Sequence, residues 1–104
     1  MTLESPADLR TTLIGMFPEF GAQCEVAESY HQVVTELSPF IARYLEMSGD
    51  RRAKEFAALV DRMVQAGGTQ QNAIETCLLE HASQVGCAKI LKPHLGPAAR
   101  KELR

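Results

Sequence analysis

The sequence predicts an all-α protein: a compact bundle or repeat-like stack of five to seven short antiparallel helices. Three observations carry that expectation. Apolar residues recur at spacings of three and four along most of the chain. Most glycines and prolines, Gly15 and Pro39 apart, fall at the ends of those runs or between them. No stretch alternates apolar and polar residues between hairpin turns. With 104 residues, the chain reads as a single helical domain over 1–104.

Each element has a local reason. Ser5 can cap a first helix, Pro6 suits its first position and Asp8 favours its positive end. Leu9, Leu13 and Met16 form its apolar stripe, and Pro18 stops it because the residue before a proline avoids helical angles. Glu19 to Glu28 fits neither period well and reads as a short helix. Tyr30, Val33, Val34, Leu37, Phe40, Ile41, Tyr44 and Leu45 keep helical phase across Pro39. That proline either kinks one helix or, with Ser38 as cap, starts a second.

Ser48-Gly49-Asp50 forms a turn, and Asp50 is expected to cap the next helix. Its apolar face is Ala53, Phe56, Ala57, Leu59, Val60, Met63 and Val64. Gly67-Gly68 ends it, and Thr69 is the expected cap of its successor. Gln70 to Gln84 then reads as one amphipathic helix that ends at Gly86 and buries Ile74, Cys77, Leu78, Ala82 and Val85. A short segment, Ala88 to Leu91, precedes Pro93, and Pro97 opens a terminal helix through Leu103.

Composition narrows the function. The formal net charge is −2, with 45% apolar and 23% charged residues. A nucleic-acid binder of this size usually carries a basic surplus. Arg51-Arg52-Lys54, followed at once by Glu55, reads as the only basic cluster, so no nucleic-acid partner is expected. No apolar run approaches a membrane span, and the N-terminus lacks the pattern of a signal peptide. A cytoplasmic protein without a membrane partner is the expectation. Cys24, Cys77 and Cys87 are odd in number and form no C-x-x-C, which fits reduced structural thiols.

The search for chemistry yields little. Cys77 and His81, four apart, share a face of a continuous helix, but a metal site needs two further ligands. The apolar stripe explains Cys77 more simply. Gly67-Gly68-Thr69 lacks the spacing and lysine of a phosphate loop and reads as a hinge. Asn72, in a first helical turn, suits backbone capping or a bridge to another helix. Phe17 before Pro18 reads as an aromatic plug between helices, with Glu19 as a cap or recognition residue. No catalytic residue, metal ligand or cofactor is expected, and the chain does not read as an enzyme.

The order Phe17-Pro18-Glu19, then Asn72-x-Ile74-Glu75 and Leu79-Glu80, resembles a poorly characterised family of short all-helical bacterial proteins. Members tend to carry F-P-E near the start and N-x-I-E-x-x-x-L-E later. The resemblance spans roughly residues 10 to 100, with Cys24 to Tyr30 departing from it. It implies HEAT-like helical packing, no enzymatic activity and, for some members, likeness to immunity proteins encoded beside bacterial toxins. The expected function is therefore binding and neutralising a cognate protein toxin. The alternative is a non-catalytic adaptor that docks a peptide or protein, with an exposed apolar strip near Met47 or Met63. Glu55, Asp61, Glu75 and Glu80 are the expected partner-binding residues, since carboxylates suit a basic toxin pocket.

Overall fold

The computed structural model describes residues 3–104. It places eight α-helices in the order α1 (Pro6–Met16), α2 (Phe20–Gln23), α3 (Tyr30–Leu37), α4 (Ile41–Ser48), α5 (Asp50–Ala66), α6 (Gly68–Cys77), α7 (Ala88–Leu91) and α8 (Pro97–Glu102). Two 3-10 turns, Leu79–His81 and Lys92–His94, complete the order, and the described residues contain no strand. The all-α expectation holds. Extents of 30 × 30 × 24 Å favour a compact bundle over an elongated stack. No described helix is long and apolar enough to cross a membrane.

Helix α5 is the centre. All seven of its predicted apolar residues are buried, and it packs on α4, α6 and α8. Helix α6 lies between α5 and α3. Phe20, Phe56, Leu9, Leu13, Leu37, Ile41 and Leu45 are among the largest side chains fully enclosed. One continuous cluster runs from Leu3 to Ala99.

Helix α1 starts as its sequence predicts. Ser5 Oγ accepts from the Asp8 amide at 3.2 Å, and Asp8 Oδ2 accepts from the Glu4 amide at 2.9 Å, so two donors at the helix entry are satisfied. The Leu3 carbonyl accepts from Tyr30 and from Gln70 Nε2, which ties this entry segment to α3 and α6.

Four local expectations are corrected. Pro39 separates two helices, but Ser38 does not cap the second: it ends α3, donating to Val34 O at 3.0 Å and Cys77 O at 2.7 Å. Asp50 is the first residue of α5 rather than its cap, because Gly49 at φ 82° makes the turn. Thr69 lies inside α6, whose cap is Gly67 at φ 70°. Only glycine adopts that region without strain, so Gly67→Ala is expected to lower stability by about 1 kcal/mol in urea unfolding.

The fourth correction matters most. Gln70 to Gln84 is not one helix. Helix α6 stops at Cys77, Leu78 leaves helical angles at φ −131° and ψ −62°, and a 3-10 turn follows. The Ser38 hydroxyl binds the Cys77 carbonyl, and Thr76 turns its hydroxyl back onto Asn72 O at 2.7 Å, a bond that bends helices. The break buries Leu78 and Leu79 together, adjacent residues that a continuous helix would set about 100° apart. Cys77 and Val85 are left only half-buried.

Candidate functional site

The break after Cys77 removes the premise for a Cys77–His81 pair. Cys77 Sγ lies 3.7 Å from Thr76 Oγ1, and His81 Nδ1 lies 3.2 Å from Gln84 Oε1. No group of three metal-ligating side chains occurs among the described residues. Cys24 and Cys87 are fully enclosed, and burial pushes each thiol from the ordinary 9 to about 11. At Cys24 a hydrogen bond with Glu36 and its charge add to the rise. Both thiols therefore stay protonated and unreactive near neutrality.

Two measurements check this. At pH 8 a thiol reagent is expected to label Cys77 first, with Cys24 and Cys87 following only on unfolding. The contribution of these two thiols to stability is expected to be constant below about pH 9. Between 9 and 11 the unfolded thiols release protons that the folded ones keep, so stability falls as pH rises.

The four carboxylates expected to meet a partner are differently employed. On α5, Glu55 pairs with Arg52 at 2.9 Å and Arg51 at 3.5 Å. Asp61 accepts the Gly96 amide on both oxygens, at 3.0 and 3.1 Å, and so holds the start of α8. Six positions apart, Glu55 and Asp61 sit roughly 120° from one another around the helix. Glu75 accepts from Gln71 Nε2 at 2.9 Å, and Glu80 is exposed on the 3-10 turn. Asn72 bridges to His31 of α3 at 3.1 Å, a tertiary tie that its position in α6 allows.

The Phe17-Pro18-Glu19 corner forms a concave site. Phe17, only 3% exposed, stacks on Tyr44 at 5.3 Å and meets Phe56 edge-on at 5.8 Å. Phe40 stacks on the other side of Tyr44 at 6.0 Å. The aromatic plug thus joins α1, α4 and α5. Over it lies a cleft of about 170 Å³ lined by Phe17, Pro18, Glu19, Tyr44, Met47 and Ser48. Met47 is 64% exposed at its edge, whereas Met63 is core. Glu19 makes no side-chain cap to α2 and stays exposed at the cleft. Burial first, then the Glu19 charge, raise the Tyr44 phenol above its ordinary value, so it stays a neutral hydrogen-bonding group.

Sequence reasoning passed over the C-terminal basic surface. Residues 88–104 hold five of the eleven lysines and arginines and one of the thirteen carboxylates. The remaining residues set six cations against twelve carboxylates. Lys89, Lys92, Arg100 and Arg104 border a cleft of about 290 Å³ with Ser83, Ala88 and Leu103. The cations are spread over a 16-residue span, which hid them as a cluster; comparing charge balance between segments would have found it. Comparison with models of known protein families, with curated proteins and with solved structures finds no match.

Proposed function

We propose that this chain is an immunity-type protein that binds a cognate protein toxin and neutralises it by contact. The observation that carries the reading is the cleft at the F-P-E corner. It has an aromatic floor, an exposed methionine and a carboxylate beside it, the pattern of an interaction anchor with a polar rim. The resemblance puts one of its two motifs at this corner. An acidic balance over residues 1–87 suits a basic partner surface. Glu75 and Glu80 remain available to such a surface, Glu55 reaches it only on release from Arg51 and Arg52, and Asp61 is committed to α8.

The test is to recover tagged protein from its native host and identify what co-purifies. One stoichiometric partner, lethal alone and harmless beside this chain, is the expected result. Met47→Asp and the pair Glu75→Lys, Glu80→Lys are then each expected to weaken the complex about tenfold or more without loss of folding. Intact affinity in all of them would remove these surfaces from the reading. Met47 also favours a second reading, a non-catalytic adaptor that takes a helix or peptide in the same cleft. Several housekeeping partners and no toxic one would select that reading.

A further inference from the structure

We propose that the C-terminal basic trough is a binding site for a compact oligophosphate, free or esterified to a nucleoside. Three adjoining hollows share Lys89, and two of them share Lys89, Lys92 and Arg100. The first of those two, about 290 Å³, adds Arg104, Ser83 and the apolar Ala88 and Leu103. The second, about 530 Å³, adds Pro93 and gives room beside the charged end. Guanidinium forks and lysine point charges are the two side-chain groups that best match phosphate oxygens. Four such cations around one small hollow suit several phosphate charges held close together. An extended acidic peptide would overrun a hollow of this size.

The walls are fixed before any ligand arrives. The Arg104 amide donates to Leu79 O at 2.9 Å, and the Ser83 amide donates to Arg104 O at 2.7 Å. These bonds pin the end of the trough to the 3-10 turn after α6. Arg100 Nη2 donates to Leu95 O at 2.7 Å, which leaves its other guanidinium donors for a ligand. Lys89 and Lys92 are exposed and three positions apart, on neighbouring faces of consecutive helical turns. Glu102, which does not line the trough, lies 4.0 Å from Arg104, a distance at which a phosphate competes well. The other basic cluster differs: Arg51 and Arg52 share Glu55, and Lys54 is 3.9 Å from Asp50. This inference does not depend on the toxin reading.

The test is a calorimetric or NMR titration of the whole protein with pyrophosphate, ATP and a hexaglutamate peptide. Vesicles carrying a phosphorylated inositol headgroup serve as the lipid arm. Pyrophosphate and ATP are expected to bind and to shift the amides of residues 83, 89, 92, 100 and 104. Lys89→Glu with Lys92→Glu, both on the surface, is expected to weaken that binding about tenfold or more. Arg51→Glu with Arg52→Glu is expected to leave it within about twofold. Equal losses in the two pairs would reduce the effect to net charge and overturn the site. No binding of pyrophosphate or ATP overturns it as well. Tighter binding of hexaglutamate would hand the trough to an acidic protein segment. Binding to the vesicles without binding of soluble pyrophosphate would move the phosphate to a lipid headgroup and overturn the soluble ligand.

Discussion

Phe17→Ala is expected to lower the free energy of unfolding by about 3–5 kcal/mol, the range for removing a buried aromatic ring. The ring is enclosed and contacts two other aromatics, so truncation loses burial, leaves a cavity and removes a stacked pair. A 104-residue domain holds only about 5–15 kcal/mol in all. Phe17→Ala therefore removes from about a fifth to all of that reserve. Urea titration followed by helical circular dichroism gives the number. Phe17→Leu, which keeps most of the volume, is expected to recover more than half the loss. A loss under about 1 kcal/mol for Phe17→Ala would mean that the aromatic cluster does not hold α1 against α4 and α5.

The same ring floors the cleft over Pro18 and Glu19, so stability and recognition meet at one position. Partner binding by Phe17 variants must be measured below their unfolding temperature. Met47→Asp is the cleaner probe, because Met47 is exposed and adds little to the core.

The fold was legible wherever one helix buries one stripe against one core. Helix α5 is the clearest case: its seven apolar positions read from spacing are the seven that are buried. The break after Cys77 was not legible, because one of the bonds that mark it comes from Ser38, 39 residues earlier in the chain. A periodicity measures how a segment fits a helix, not what a distant hydroxyl does to one of its carbonyls. Leu79 escaped for the same reason, since its burial follows from the break. At the candidate site, Phe17 was legible as a plug because proline fixes the corner. Its partners Tyr44 and Phe56 were legible only as core. Nothing local in the sequence says that Asp61 reaches Gly96, 35 positions away.

Asp61→Ala is expected to destabilise the protein by about 1–3 kcal/mol, the range for leaving a buried or half-buried donor without its charged acceptor. Both Asp61 oxygens serve the Gly96 amide at the entry to α8. A Cβ at Gly96 would lie 3.2 Å from Asp61 Oδ1, so the carboxylate fits closely against that backbone. Asp61→Asn keeps one acceptor oxygen and is expected to lose about half as much. Glu80→Lys, an exposed change on the neighbouring turn, is expected to stay within about 0.5 kcal/mol of the parent. Thermal melts of the three variants separate carboxylates used for folding from those left for a partner. If Asp61→Ala melts early, and binds its partner normally at temperatures where it is folded, Asp61 works for α8 alone. The partner surface then rests on Glu55, Glu75, Glu80 and the F-P-E cleft. If instead it keeps its Tm and loses the partner, the Gly96 bond is dispensable and Asp61 belongs to the interface. An early melt together with a lost partner would assign Asp61 both tasks, since its carboxylate has lone pairs beyond those that face the Gly96 amide.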